Sequence, residues 1–248
     1  DIEVAENHKV EDFIYQNGNV AGVIVRDPEN KKFKISAQVV IDAGGCNAIS
    51  IRRLGLKNKM NGEGKIALAA HWKNVRLPQA YCYMHVGKPG YTGMSQVSSD
   101  VVNAIMITSS SQIKGQNNTE FYKNGIFQNK KRRELLEGAE LAETPRAIES
   151  LAFSVKPPKC GGLVLVGDSA GFIDPFTGEG IYLSLRSAQL ANQTLSLAFD
   201  NSDFSKKTLE GYERARSKEF GDKFTLSRIL QKIIYNRRLC NFVVKNLI

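Results

Sequence analysis

Residues 161–181 constrain the fold more strongly than any other stretch of the sequence. A short apolar run at 163–166 stops at Gly167-Asp168 and is followed by a loop and by a G-x-G where a helix begins. An aspartate at the carboxyl end of a central strand lies in the crevice in which open α/β sheets bind ligands. Glycines let the backbone approach a flat ligand, and free N–H groups at a helix start attract negative charge. This stretch predicts an α/β fold with a ligand site at Asp168, whose carboxylate would accept hydrogen bonds from hydroxyl groups.

The periodicity of the remaining sequence predicts a strand-rich first half and a helical end. Gly18 lies in a hairpin turn at 16–19, where a positive φ is needed, and the last meander strand leads into a buried strand that enters a Gly-Gly turn. A polar helix is predicted at 120–140, with the basic run 130–133 on its solvated face, and helices dominate after Gly180. Strands are predicted at 10–15, 20–26, 33–37, 39–41, 66–72, 81–86 and 101–108.

The 161–181 stretch resembles the second FAD-binding motif of a flavoprotein superfamily that contains geranylgeranyl reductases, aromatic-ring hydroxylases and flavin-dependent halogenases. Residues 39–55 look like the A-D-G-x-x-S-x-x-R-R segment of the same superfamily. Here Gly44 stands in place of the family's Asp, Ala48 in place of its Ser, and one residue is inserted before the arginines. No G-x-G-x-x-G opens a βαβ unit in the sequence. The resemblance therefore implies that about a hundred further residues precede this chain, and that the chain as given binds FAD poorly.

The resemblance implies an α/β fold, with an FAD-binding Rossmann-like body that is incomplete at its amino end. Residues 1–58 and 156–200 would form this discontinuous body, 59–155 an inserted β-rich substrate domain, and 201–248 a tail of C-terminal helices. The expected cofactor is FAD.

Roles for individual residues follow from the same resemblance. Asp168 would contact the ribityl hydroxyls, while the backbone N–H groups of Gly180 and Ile181 would face the N1–C2=O edge of the flavin ring. Val10 resembles the position that pairs with adenine through its backbone, although an ordinary strand valine explains it equally well. The other expected cofactor-binding residues are Ala43, Gly44, Pro175, Thr177 and Gly178.

The resemblance implies an FAD-dependent oxidoreductase that acts on a lipophilic or aromatic small molecule, with NAD(P)H or a ferredoxin-type protein as reductant. No catalytic side chain is identified, because flavins carry the redox chemistry themselves. Gly90-Tyr91 matches part of the reductase signature G-Y-x-W-x-F-P, but Met94 replaces its Trp and Gln96-Val97 its Phe-Pro. The halogenase signature W-x-W-x-I-P is missing. A monooxygenase (hydroxylase) and a truncated, non-catalytic scaffold remain alternatives, and His85 and Tyr91 are the polar aromatic residues of interest in the substrate region.

The charge of the C-terminal segment bears on which partners the protein can have. Residues 206–248 carry eleven Lys/Arg and four Asp/Glu, a large part of the net charge of +9. Because no RNP motif or Cys/His finger accompanies this charge, nucleic acid is not an expected partner.

The four cysteines form no C-x-x-C, so we expect no metal site and a cytoplasmic protein with reduced thiols. Apolar residues at helical spacing within 223–248 either pack on the protein or contact an anionic membrane peripherally; they are Leu226, Ile229, Leu230, Ile233 and Ile234.

Overall fold

The computed structural model describes residues 2–58, 64–78, 81–151, 153–172 and 175–247. It is a mixed α/β fold, as the sequence predicts. The strands are β1 Lys9–Gln16, β2 Asn19–Arg26, β3 Lys32–Ser36, β4 Val40–Asp42, β5 Lys65–Lys73, β6 Tyr83–Gly87, β7 Gly90–Gln96, β8 Val101–Ser109, β9 Glu140–Leu141, β10 Arg146–Leu151, β11 Phe153–Ser154, β12 Leu163–Leu165 and β13 Gly171–Phe172. The helices are α1 Ile49–Arg53, α2 Ser110–Ile113, α3 Asn118–Phe127, α4 Lys130–Leu135, α5 Gly180–Asp200, α6 Lys206–Ile234 and α7 Arg237–Leu247.

The chain divides into two compact units, and each is formed by two separate segments. Unit 1 consists of Asp1–Met60 and Ala152–Arg228, and unit 2 consists of Asn61–Leu151 and Ile229–Ile248. The C-terminal helices therefore do not form a third unit, since the greater part of α6 belongs to unit 1 and α7 belongs to unit 2. The assignment of cofactor binding to one unit and of substrate binding to the other stays a prediction.

Unit 1 is built around the predicted β-meander and a pair of parallel strands. Strands β1, β2 and β3 form an antiparallel sheet. Asn17 and Gly18 connect β1 to β2 with φ values of 51° and 78°, the two positive angles that a tight hairpin turn requires. Strand β12 is buried along its length and pairs in parallel with β4. The expectation that residues 39–41 are buried was wrong for Ile41, which is 49% exposed because it lines the surface cavity described below.

Helices α5 and α6 complete the core of unit 1. Val164 of β12 and the following Val166 form a buried apolar cluster with side chains of both helices, namely Leu190 and Leu195 of α5 and Leu209, Tyr212 and Phe220 of α6. The Tyr212 hydroxyl donates a hydrogen bond of 2.7 Å to the carbonyl oxygen of Leu165. This bond satisfies the buried phenol and attaches α6 to the end of β12, directly before the predicted ligand loop.

Unit 2 is a six-stranded antiparallel sheet with short helices. Five strands follow the order β10-β5-β8-β7-β6, and β9 pairs with β5. The sequence patterns did not predict β7, whose glycines and polar residues weaken the β-signal. The predicted helix at 120–140 is instead two helices, because the Asn129 side chain accepts a hydrogen bond from Arg132 N and starts α4.

Arg132 corrects the prediction that the basic run 130–133 forms a solvated helix face. It is 1% exposed, whereas the other three side chains of the run are exposed. Its Nε donates to the Ile126 carbonyl oxygen at 2.7 Å, and a terminal nitrogen donates to that of Gly125 at 2.6 Å. These carbonyls belong to the last turn of α3, where a cation and two donors satisfy groups that the helix itself leaves unpaired.

Candidate functional site

The two turns that the sequence identified lie at the same end of the β4–β12 pair. Leu163 is paired with Val40 and Leu165 with Asp42, in parallel register. Parallel strands end at the same edge, so the Gly44 turn and the Asp168 loop lie side by side. Two hydrogen bonds join the turns directly, since Val166 N (3.1 Å) and Ser169 Oγ both donate to the carbonyl oxygen of Asp42.

Asp42 organises the first turn, and the sequence analysis missed it. Its buried carboxylate accepts hydrogen bonds of 2.9 Å from Gly44 N and from Ser50 N, in the first turn of α1. A Cβ atom at Gly44 would lie 3.0 Å from Asp42 Oδ1 and 3.1 Å from the Cα of Ala48. The lack of space for a Cβ atom therefore explains why residue 44 is a glycine. The sequence signal that would have identified Asp42 is an acidic residue at the end of a strand, immediately before a turn of small residues.

Asp168 lies in the second turn, where its carboxylate is half-buried. Burial raises its pKa above the ordinary aspartate value, because it disfavours the charged form. In the part of the chain that the structure describes, no group donates a hydrogen bond to this carboxylate. Gly167 has a φ of 61°, and its N–H donates to Ser187 Oγ at 2.8 Å, which ties the loop to α5. Asp168 is thus held by its backbone, while its side chain is left available to hydroxyl donors.

The start of α5 presents backbone N–H groups next to this loop. Glu179, the residue before the helix, makes no capping bond with its side chain, and the first α-helical bond is Leu183 N to Glu179 O at 2.9 Å. Among the described residues, no acceptor faces the N–H groups of Gly180 and Ile181. A Cβ atom built at Gly180 meets no atom within 4 Å, so the fold itself does not require glycine there.

Pro175 and Thr177 form a short 3₁₀ turn that leads into α5, and both are half-buried. Gly178 follows with a φ of 69° and donates to the carbonyl oxygen of Pro175 at 3.0 Å. Ile173 and Asp174 lie outside the described residues. Six of the predicted cofactor-binding residues thus lie along one loop and helix start, from Asp168 to Ile181.

The three other predicted cofactor-binding residues, Val10, Ala43 and Gly44, line one surface cavity of about 350 Å³ in unit 1. Val10 lies at an irregularity in the β1–β2 register, which interrupts the ladder hydrogen bonds there. The cavity is lined mainly by apolar side chains and by the backbone of β1, β2 and β4, and its polar members are Lys9, Asp42, Asn47 and Arg52. The structure therefore gathers the nine predicted residues into two groups, which are joined through the β4–β12 end.

His85 and Tyr91 both lie in the sheet of unit 2, and His85 is half-buried. Tyr91 is buried, with its ring edge-to-face against Tyr235. His85 stacks on Tyr83, and its pKa is lowered by burial and by the positive charge of Arg132. A groove of about 790 Å³ lies nearby in the same unit. It is lined by residues 86–90 with Gln128, Asn129, Ile234, Tyr235, Cys240 and Asn241.

The described ranges contain neither the side-chain arrangement of a metal site nor a helix that could cross a bilayer. No group of three or more His, Cys, Asp and Glu side chains within them has the arrangement of a metal site. The same residues include no helix with both the length and the apolar character needed to cross a bilayer.

The sequence profile of the FAD-binding domain family matches residues 2–222. The chain belongs to this FAD-binding family. Among curated relatives, a digeranylgeranylglycerophospholipid reductase of Thermoplasma acidophilum is 26% identical over 85% of this chain and 53% of its own length. A 1H-pyrrole-2-carbonyl-[peptidyl-carrier protein] chlorinase of Pseudomonas fluorescens is 24% identical over 81% of this chain and 49% of its own length.

A solved structure shares the fold of this chain. A geranylgeranyl bacteriochlorophyll reductase-like protein from Thermoplasma acidophilum superposes with a TM-score of 0.77 at 25% identity, covering 92% of this chain and 57% of the other. The chain spans about half the length of the curated relatives it matches.

Proposed function

We propose that the protein is an FAD-dependent oxidoreductase whose cofactor binds at the end of the β4–β12 pair. The observation that carries this proposal is the start of α5. There, N–H groups that no described acceptor pairs, and a glycine that the fold does not need, lie beside the loop that carries the half-buried carboxylate of Asp168. Bound FAD would supply the redox chemistry. Membership of the FAD-binding family supports the choice of cofactor.

The residues present fit the chemistry of this cofactor. Asp168 would accept hydrogen bonds from the ribityl hydroxyls, which favours its charged form and offsets the cost of its burial. The N–H groups of Gly180 and Ile181, at the positive end of a 21-residue helix, would donate to the flavin ring edge and stabilise negative charge there. Pro175 and Thr177 would flank the ring.

The cavity lined by Val10, Ala43 and Gly44 would hold the adenine end of the cofactor. Its volume of about 350 Å³ is at the lower end of the range for small-molecule sites. The register shift between Val10 and Asp12 interrupts the strand ladder beside this cavity, and we propose that the backbone of Val10 pairs there with the planar base.

The first test is an FAD titration of the purified protein, with equilibrium dialysis as the readout. We expect weak but saturable binding of one FAD per chain, and a visible spectrum of the bound flavin that differs from that of free FAD. Absence of FAD binding by folded protein, judged by circular dichroism, would overturn the proposal.

We propose a lipophilic substrate, by analogy with the reductase relative, and the groove of about 790 Å³ in unit 2 as the place for it. Val86 and Pro89 contribute apolar surface to the groove, and Gln128, Asn129 and Asn241 contribute carboxamides. Val86→Trp should raise the KM for digeranylgeranylglycerophospholipid without changing FAD affinity. Val97→Trp is the matched control, because Val97 is exposed outside the groove. An unchanged KM in Val86→Trp would exclude this groove.

The chlorinase relative supports a second candidate function, an oxygen-dependent reaction on an aromatic substrate. Two measurements distinguish the candidate functions, namely the identity of the reductant and the consumption of oxygen. Reduction of an isoprenoid double bond proceeds without oxygen, with NAD(P)H or a ferredoxin-type protein as electron donor. Oxygen-dependent turnover of an aromatic substrate would favour the second candidate.

We also propose peripheral contact of the C-terminal segment with an anionic membrane. Residues 223–248 contain six Lys/Arg and no Asp/Glu. In the part of this segment that belongs to unit 2, the apolar side chains of Ile229, Leu239 and Phe242 are exposed, and so are the cations Lys232 and Arg238. A surface that is both apolar and basic suits anionic lipid, where each cation contributes about 1 kcal/mol.

Vesicle sedimentation tests this contact. Binding should require phosphatidylglycerol, decrease with added salt and weaken when Lys232 and Arg238 are changed to Gln. The same double change at Lys130 and Arg133, which are exposed on α4, should leave binding unaltered. Equal binding to neutral phosphatidylcholine vesicles, or none to either, would contradict the proposal.

A further inference from the structure

We propose that Asp42 is a positioning residue for the cofactor, because it holds the two cofactor turns in a fixed relation. Its side chain binds the first turn and its main chain binds the second. This inference rests on the proposed FAD binding at the same end of the β4–β12 pair. Asp42 itself is not required to touch the cofactor.

The contacts of Asp42 divide cleanly between the two turns. Oδ1 accepts from Gly44 N and Oδ2 from Ser50 N, both at 2.9 Å, so the carboxylate fixes the Gly44 turn and the start of α1. The carbonyl oxygen accepts from Val166 N and from Ser169 Oγ, on either side of the Asp168 loop. Loss of the carboxylate would release the first turn, while the bonds to the second turn remain. The two halves of the site would then move relative to each other.

A carboxylate is the side chain that fits this position. Both of its oxygens receive a backbone N–H, and neither of these N–H groups can act as an acceptor. Asparagine would turn its NH₂ group toward one of the two donors and lose that bond. Asp42→Asn should therefore fall between the wild type and Asp42→Ala.

The competing explanation is that Asp42 serves only to cap α1. Helix α1 begins after Ala48, which has extended backbone angles (φ −47°, ψ 140°) and no side-chain oxygen to bind Ser50 N. A serine at 48 would supply that bond locally, as residues before a helix commonly do. It would not reach Gly44 N. The double variant Asp42→Ala/Ala48→Ser thus restores the cap and leaves the Gly44 turn released.

The experiment compares FAD affinity with thermal stability in four proteins. The wild type, Asp42→Ala and the double variant are joined by Asp203→Ala as a matched control. Asp203 also accepts a backbone N–H, from Ser205 at 2.9 Å at the start of α6, but lies beside the opposite end of β12. Asp203→Ala should lower the melting temperature and leave FAD affinity unchanged.

We expect Asp42→Ala to bind FAD at least about tenfold more weakly than the wild type, the effect of losing hydrogen bonds to a charged group. The double variant should recover the melting temperature but not the affinity, and the visible spectrum of its bound flavin should stay shifted. Recovery of both properties in the double variant would show that Asp42 serves only as a helix cap, and would overturn the proposal. Wild-type FAD affinity in folded Asp42→Ala would overturn it as well. A wild type that binds no FAD would overturn the proposed function, and this inference with it.

Discussion

Replacing Gly180 by alanine should have opposite effects on folding stability and on FAD binding. Gly180 is the first residue of α5, its φ is not in the left-handed region, and an added Cβ meets no atom within 4 Å. The chain can therefore accept alanine without strain. Alanine loses less backbone entropy on folding than glycine, so the change should raise the free energy of unfolding by about 0.5–1 kcal/mol. For a chain of this size, that corresponds to an increase of roughly 1–4 °C in Tm.

The same methyl group should weaken FAD binding. If the flavin ring edge accepts hydrogen bonds from the N–H groups of Gly180 and Ile181, it approaches the backbone too closely to leave room for a Cβ. Crowding of this kind costs about 1–3 kcal/mol in packed sites, which is about fivefold to 150-fold in affinity. Gly180→Val should have the larger effect.

Gly221→Ala is the matched control, because Gly221 is also a helical glycine of unit 1 with no atom within 4 Å of an added Cβ. It should raise Tm by a similar amount and leave FAD affinity unchanged. Thermal melts without FAD and equilibrium dialysis with FAD measure the two effects separately. Wild-type FAD affinity in Gly180→Ala would show that the start of α5 does not face the cofactor, and would refute the reasoning about this helix.

Four further predictions concern Asp168, Arg132 and Gly162 and can be checked independently. Asp168→Ala should weaken FAD binding about tenfold to a hundredfold, from about 1.5–3 kcal/mol of hydrogen bonding. In the wild type, FAD affinity should fall as the pH is lowered through the raised pKa of Asp168, since hydroxyl donors favour the carboxylate, and Asp168→Asn should flatten this profile in dialysis. Arg132→Ala should reduce the free energy of unfolding by about 2–4 kcal/mol in urea titrations, and Arg133→Ala by less than about 0.5 kcal/mol; equal effects would contradict the capping role of Arg132. Gly162→Ala should cost about 2–4 kcal/mol, because its φ is 71° and the new Cβ would lie 1.9 Å from a carbonyl oxygen, whereas Gly18→Ala should cost only about 1–2 kcal/mol because its positive φ is the sole obstacle.

Local patterns were sufficient for the features that depend on neighbouring residues. The turn at Asn17 and Gly18, the buried strand before Gly167 and the helix that starts at Gly180 all follow from backbone preferences and short-range periodicity. These preferences depend only on a few neighbouring residues, so they can be predicted from the sequence alone. The same locality explains why the Asp168 loop was the most informative motif.

The features that the sequence analysis missed depend on partners far along the chain or on burial. Arg132 sits in a run of four cations, and nothing in the run distinguishes the one whose donors reach the last carbonyls of α3. Asp42 acquires its role from a carboxylate bond to Ser50 and from main-chain bonds to residues more than a hundred positions away. Such contacts appear only when the two parallel strands are brought together, because no local pattern encodes the register between them.

The start of α5 combines several features that oppose folding stability, and their coincidence has a physical meaning. Helix-start N–H groups lack a cap, a carboxylate is partly buried without a described partner, and Ile181 and Leu185 are 79% and 66% exposed. A single substitution could remove each of these features without strain on the backbone. Gly180→Ala is an example of a substitution that this helix start can accept without strain. Natural sequences keep such local conflicts mainly where a ligand relieves them. A flat ligand with hydroxyl donors at one end and acceptors along its ring edge would relieve the polar conflicts together and cover apolar surface. The chemistry of FAD meets this description.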